Sequence, residues 1–203
     1  MGIYQRWILP RLLDLAMGNR MLDQYRQRTV ETARGLVLEI GVGPGQNLRL
    51  YSSAVVRVVG LDPSPELLGI ASKRASDVVV PVSLVRASAE QIPFINATFD
   101  AIVITWTLCS IPDPTAALTE MRRVLKPGGR LLFVEHGLSP ESRIARWQHR
   151  LTPCWKQMTG GCHLNRKTDD LIRAAGFEID AVETAYMTGP KPLTFMYQGS
   201  ANN

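Results

Sequence analysis

Cysteine is scarce in this sequence, and the three present, Cys109, Cys154 and Cys162, are an odd number with no paired spacing. That pattern excludes a disulfide framework and points to reduced thiols in a cytoplasmic protein. No apolar run approaches the roughly 18 residues needed to span a bilayer. A signal peptide's apolar stretch and small-residue cleavage site are missing from the N-terminus. Histidine is also rare, with three in 203 residues. Cys154, Cys162 and His163 have poor spacing for zinc, so no metal is expected. There is no internal repeat and no low-complexity segment. The length fits one domain with a sizeable core, and the 45% apolar content is ordinary for a globular chain.

The net charge of +5 is unevenly placed. Residues 1–35 hold six arginines against Asp14, Asp23 and Glu31. Residues 141–168 hold Arg143, Arg146, Arg150, Lys156, Arg166 and Lys167 against Glu141. The remainder is mildly acidic. Basic segments attract anionic substrates, lipid head groups or nucleic acid, and they also form ordinary solvated helix faces.

The stretch Glu39-Ile40-Gly41-Val42-Gly43-Pro44-Gly45 organises the reading. Leu36 to Ile40 is a branched apolar run suited to a buried parallel strand. A strand, a glycine turn and the start of a helix make a cradle lined with backbone N–H groups. The spacing G-x-G-x-G differs from the dinucleotide G-x-G-x-x-G. Glu39 would repel a pyrophosphate but suits a ligand carrying an ammonium group. Asp62, 21 residues beyond Gly41, stands where an acid reaches ribose hydroxyls in this kind of fold.

Around these points the chain alternates strands and helices. Residues 3–17 form an amphipathic helix limited by Pro10, and a second helix runs over 20–32. Asn47 to Tyr51 is the helix after the glycine turn. Strands are expected over Val55–Leu61, over Val78–Val85 with Pro81 interrupting, over Phe99–Thr105 and over Arg130–Glu135. Ser64 and Pro65 open one helix, and Pro112-Asp113-Pro114 leads into another that runs through Leu125. Lys126-Pro127-Gly128-Gly129 is a turn. Residues 141–168 read as less regular. A helix through Leu171 and Ala175 ends at Gly176, strands follow over Phe177–Tyr186 and Leu193–Tyr197, and the tail Gly199–Asn203 reads as frayed. The alternation indicates a parallel, doubly wound α/β sheet.

Four segments in order carry a family resemblance over roughly residues 35–200. They are the glycine segment, Gly60-Leu61-Asp62-Pro63-Ser64, Ala89-Glu90-Gln91-Ile92-Pro93-Phe94 and Leu125-Lys126-Pro127-Gly128-Gly129-Arg130-Leu131. Together they resemble the class I S-adenosylmethionine-dependent methyltransferases. The resemblance implies an α/β Rossmann-like sheet of seven strands with the last antiparallel. Residues 1–34 precede the first strand and form an N-terminal helical extension, a cap over the ligand cleft or structural helices packed on the sheet; 35–203 is the cofactor-binding domain. The resemblance implies S-adenosylmethionine as cofactor and S-adenosylhomocysteine as product. Glu39 would hold the methionine ammonium. Gly41, Gly43 and Gly45 would admit the cofactor, and Asp62 would accept from both ribose hydroxyls. Pro63, Ser88, Ala89, Glu90 and Thr105 complete the expected cofactor set. Many relatives carry an aspartate at the Ser88 position, where it meets the adenine amino group; a serine can accept there without charge.

A narrower similarity rests on Thr107-Leu108-Cys109-Ser110-Ile111, Phe133-Val134-Glu135-His136-Gly137 and Gly161-Cys162-His163-Leu164-Asn165-Arg166. These segments are similar to a small-molecule branch that includes thiol methyltransferases and bacterial phospholipid and quinone methyltransferases. Trp106 and Cys109 would lie near the methyl group, as an apolar wall that excludes water or as core packing. His163 either contacts substrate or is structural, and His136 is the candidate proton acceptor, with a core or second-shell histidine as its alternative. The expected partner is a small-molecule acceptor, a thiol or sulfide ahead of a phospholipid amine or a quinone. The basic segments add an expected peripheral lipid contact. A nucleic-acid methyltransferase is the rival enzyme, yet the region after the fourth strand lacks the Asn/Asp-Pro-Pro-Tyr pattern of the base-amine enzymes. A non-catalytic cofactor-binding protein is the third reading.

Overall fold

The computed structural model describes residues 8–203, and within them one sheet organises everything else. It has seven strands in the order β3-β2-β1-β4-β5-β7-β6. They are β1 (Gly35–Ile40), β2 (Val55–Asp62), β3 (Val82–Arg86), β4 (Phe99–Thr105), β5 (Leu125–His136), β6 (Glu178–Tyr186) and β7 (Phe195–Asn202). The pairs β1–β2, β1–β4, β2–β3 and β4–β5 are parallel. β7 runs antiparallel to both β5 and β6, as the family resemblance implied.

Side-chain alternation divides the strand residues between two cores. Leu38, Ile40, Ile102, Ile104, Leu131 and Phe133 pack in one cluster. Their neighbours Val37, Ala101, Val103 and Leu132 pack in the other, with Val58 of β2. Both faces of the sheet are thus buried, which explains why β1 and β4 read as continuous apolar runs.

The helices are α1 (Leu9–Met17), α2 (Arg20–Val30), α3 (Pro65–Ala75), α4 (Pro114–Val124), α5 (Ser142–Met158), α6 (Thr168–Ala174) and the short α7 (Lys191–Thr194). Their starts follow local chemistry. Ser64 accepts from the Leu67 N–H at 3.2 Å, and Pro65 sits where an N–H is dispensable. Asp113 accepts from Thr115 and Ala116, both at 3.0 Å, just before Pro114.

Several expected boundaries move. The helix expected over 3–17 is described only from Leu9, and residues 3–7 lie outside the described residues. The helix expected over Asn47–Tyr51 is a single 3₁₀ turn, Leu48–Leu50. The third strand starts at Val82, because Pro81 lacks the N–H for a ladder. The fifth begins at Leu125: Phe99 pairs with Leu125 and Ala101 with Arg130, so Lys126–Gly129 bulges out of a strand already under way. Residues 141–168 are not irregular, since α5 covers 17 of them with Pro153 inside. The tail is not frayed either. Met196–Asn202 pairs with Arg130–His136 in full register, and Ala201 is completely buried.

Candidate active site

A cavity of about 670 Å³ opens at the C-terminal ends of β1, β2 and β4. That is where open α/β sheets bind ligands, and the volume suits a small molecule. Its floor is the glycine turn. Gly43 holds φ at +54°, and a side chain there would meet no protein atom closer than 3.8 Å, so open space lies beside it in the cavity. Gly45 has another role. A side chain there would press on Leu48 at 2.9 Å and on Ala71, so Gly45 lets α3 pack closely and does not line the cavity.

Asp62 at the end of β2 is buried and accepts the Gly43 N–H at 3.0 Å and the Ser64 N–H at 2.8 Å. Burial raises its pKa against those two hydrogen bonds. Each carboxylate oxygen keeps a second lone pair for a ligand hydroxyl. Pro63, Ser88, Ala89 and Glu90 line the same side. The Ser88 hydroxyl donates to Glu90 at 2.6 Å, which leaves the Glu90 carboxylate as the charged acceptor of that wall.

Glu39 lies beneath the floor and does not line the cavity. It is 2% exposed and accepts from Asn47 at 2.9 Å and Tyr51 at 2.8 Å. Burial raises its pKa to about 7, against the Tyr51 bond and the Arg26 charge. Asn47 also donates to Thr105 Oγ1 at 3.0 Å, and Thr105 is on the cavity wall. The carboxylate expected to hold an ammonium, directly or through water, reaches the cavity through its neighbours.

The sequence reading missed Arg26. It projects from α2, is 3% exposed, and lines the cavity. Its guanidinium donates to Asn47 at 2.9 Å and lies 4.8 Å from the Trp106 ring centroid, a cation–π distance. Burial lowers its pKa to about 10 in spite of Glu39. Its Nε finds no hydrogen-bond partner. An orphaned donor on a buried cation calls for an anion. In sequence, one arginine among the six of residues 1–35 carries no mark that sets it apart.

Trp106 also lines the cavity, in a left-handed conformation with φ +50°, sparsely populated for a bulky residue. Glu135 holds the loop that follows, accepting the N–H groups of Thr107, Leu108 and Cys109 at 2.6, 2.9 and 3.3 Å. Its carboxyl is fully buried and pushed up to about 7 by that burial. The remaining wall combines Leu9, Pro10 and Met17 of α1 with Ser110, Ile111, Pro112, Lys156 and the Gly160-Gly161 turn.

Cys109, His136 and His163 do not line the cavity. Burial pulls the His136 pKa down, but the Cys162 sulfur, 2.8 Å from Nε2, and Glu135 leave it raised overall. The His136 side chain is half-buried, with its Nε2 engaged by the Cys162 sulfur. His163 donates from Nδ1 to the Cys109 carbonyl at 3.1 Å, and burial lowers its pKa. Both histidines act behind the wall.

Comparison with known proteins follows this geometry. The family described as methyltransferase domain matches residues 38–133. The thiol S-methyltransferase TMT1B of Homo sapiens is 33% identical, over 89% of this chain and 77% of its own length. The chain belongs to the S-adenosylmethionine-dependent methyltransferases. Its cofactor is S-adenosylmethionine. The phosphatidylethanolamine N-methyltransferase of Cereibacter sphaeroides is 35% identical over 66% of each chain. The solved SAM-dependent methyltransferase of Thermotoga maritima shares the fold over 99% of both chains, with a TM-score of 0.69 at 24% identity. The chain spans 59% of the length of the rat TMT1B it matches.

Proposed function

We propose that this methyltransferase moves the methyl group of S-adenosylmethionine to the sulfur of a small thiol or sulfide. The supporting observation is the sorting of charge around the cavity. Asp62, Glu66 and Glu90 stand on the β2–β3 side, while Arg26 and Lys156 stand beside an apolar wall of Leu9, Pro10, Met17, Trp106, Ile111 and Pro112. The acidic side suits the ribose and adenine, with Asp62 taking the ribose hydroxyls and Glu90 the adenine amino group. The backbone at Gly41 and Gly43 takes the methionine segment. Arg26 is the partner for its carboxylate, and Glu39 acts on its ammonium through Asn47 and Thr105. The cationic and apolar side suits a soft anion.

In the reaction the thiolate attacks the methyl carbon in line with the sulfonium. A carbon–sulfur bond forms on the acceptor, the old one breaks, and S-adenosylhomocysteine leaves as a neutral thioether. Charge is annihilated, so excluding water and aligning the two sulfurs carry the catalysis. A thiol of pKa near 8.5 is already partly ionised at neutral pH. Lys156 favours that anion further, so a histidine base is dispensable and the position of His136 behind the wall is no obstacle. α1 closes the acceptor end. Within the segment first read as a cap, Val30 and Ala33 belong to the buried core, which leaves α1 as the capping part.

A lipophilic acceptor is the second reading, favoured by one observation. α1 exposes Leu12 and Leu15, and α5 exposes Trp147 and Leu151 among Arg143, Arg146 and Arg150. Apolar side chains among arginines suit a peripheral lipid surface. Among the described residues no helix is long and apolar enough to cross a membrane. A panel with labelled cofactor separates the two: sulfide, small thiols, quinols and phosphatidylethanolamine vesicles. Methylation of thiols well above a heat-killed control is expected. Silence on every thiol beside robust labelling of the lipid amine or the quinol would overturn the sulfur reading.

A further inference from the structure

Cys109, His136 and Cys162 come from three separate elements and meet behind the acceptor wall. Cys109 is in the loop after β4, His136 ends β5, and Cys162 follows α5. Their three donor atoms all lie within 4.8 Å of one another. By spacing, Cys154, Cys162 and His163 are a poor zinc set, and no metal is expected of them. The fold assembles a different trio, at sequence separations that no spacing rule covers.

What brings the trio together does not depend on the three side chains themselves. Glu135 gathers the N–H groups of Thr107, Leu108 and Cys109. The His163 N–H donates to the Cys109 carbonyl at 2.8 Å and ties the two cysteine loops to each other. Arg166 donates to the carbonyls of Leu108 and Ile111 and clamps the same loop from outside. The donors are therefore held in place before any ion arrives. Both cysteines are buried, while Cys154 is exposed on α5. The Cys162 sulfur faces two nitrogens, His136 Nε2 at 2.8 Å and Trp155 Nε1 at 3.4 Å. Its lone pairs thus already face a second donor of the trio, His136 Nε2.

We propose that Cys109, His136 and Cys162 form a site for one soft divalent ion of the zinc class. Two thiolates and a neutral imidazole around a divalent cation carry no net charge, so the buried site avoids the cost of an unpaired ion. In a tetrahedral zinc site the donor atoms stand roughly 3.6–3.8 Å apart, given zinc–sulfur and zinc–nitrogen bonds of about 2.3 and 2.0–2.1 Å. The trio is within that range of adjustment, the His136–Cys162 pair having to open by somewhat under about 1 Å. Three protein donors leave a fourth position. Ser110, which lines the cavity, has its Oγ 3.5 Å from Cys109 Sγ, so the trio lies one residue behind the cavity wall. Binding expels the thiol protons to solvent. The site stands on the trio's geometry and does not depend on which acceptor is methylated.

The full chain, stripped with chelator under reducing conditions, is given zinc and passed through a desalting column, and bound metal is counted per chain. One zinc per chain is expected for the wild type and for Cys154→Ser. At least a tenfold loss is expected in each of Cys109→Ala, His136→Asn and Cys162→Ser. Cobalt(II) in place of zinc should give the intense visible bands of a tetrahedral thiolate site in the wild type and none in Cys162→Ser. Melting of the wild type should rise with equimolar zinc, and His136→Asn should show no rise. S-adenosylmethionine binding by the variants checks that they are folded. A folded wild type that retains no zinc overturns the proposal. So does retention that survives Cys162→Ser or disappears with Cys154→Ser.

Discussion

Glu39 and Glu135 are two buried carboxyls at the ends of strands on either side of β4, and both are pushed up to about 7 by burial. Their partners differ. Glu39 accepts from the side chains of Asn47 and Tyr51 and faces the charge of Arg26. Glu135 accepts three successive backbone N–H groups. A side-chain network has rotamers to spend and reaches the cavity through Arg26 and Thr105, so it can answer a ligand. A carboxylate clamped on backbone fixes the path of a loop. The same residue type at equivalent strand ends thus serves recognition in one place and architecture in the other.

The strongest way to break this contrast is Glu135→Ala. Three N–H groups, two of them buried, would lose their acceptor, at about 1–3 kcal/mol for each buried one left unsatisfied. A loss of about 3–5 kcal/mol of stability is expected by denaturant titration, with the loop carrying Trp106 disordered. A variant within 1 kcal/mol of wild type, by the roughly ±0.5 kcal/mol standard of neutral surface changes, would make Glu135 no clamp at all.

Glu39→Gln sharpens the contrast through pH. A carboxyl whose folded pKa is raised from 4.5 to about 7 binds its proton more tightly in the folded state. Its favourable share of stability is complete below the unfolded value, declines as pH rises through the interval, and levels off above about 7. The stability of the wild type relative to Glu39→Gln should therefore fall between pH 4.5 and 7, by on the order of 3 kcal/mol. Parallel melting series of the two proteins across that window would show it. A constant gap would mean that the Glu39 carboxylate is ionised throughout.

The smallest expected effect is that of Arg26→Met, which keeps the packing stem and removes the charge. Cofactor affinity should drop by about 1–2 kcal/mol in calorimetry, while the melting temperature of the ligand-free protein changes little. The opposite result, intact affinity with lost stability, would place Arg26 with Glu135 and erase the difference between the two networks.

What could be read from sequence depended on whether a residue acts on its neighbours in the chain. The glycine turn and the Ser64 cap are local devices, and Asp62 was announced by its 21-residue spacing from Gly41, although it also accepts the Gly43 N–H from 19 residues away. Arg26 and Glu135 work across the fold: Arg26 reaches Thr105, 79 residues away, and Glu135 reaches Thr107 from 28 residues away. No periodicity carries such information. α5 was hidden by Pro153 and by the glycine pair beyond its end, which locally favour a loop. The second half of the strand at Phe195–Asn202, expected as a frayed tail, was hidden because Gly199-Ser200-Ala201 has little strand preference of its own, and pairing on both sides supplies what propensity lacks. His136 was rightly placed at a strand end. Which way an imidazole turns there is decided by Cys162, 26 residues on.

The position of β7 has a consequence for how the chain is made. It follows β6 in sequence yet lies between β6 and β5, and β6 has no other partner in the sheet. As the polypeptide emerges from the ribosome, β1 to β5 can assemble while β6 waits with its backbone groups unmatched. Only when β7 arrives does the edge close, and it must then thread its pairing between two neighbours at once. Exposure of that waiting strand is the interval of greatest aggregation hazard, and the carboxylates Glu178, Asp180 and Glu183 along it repel another copy in the same state.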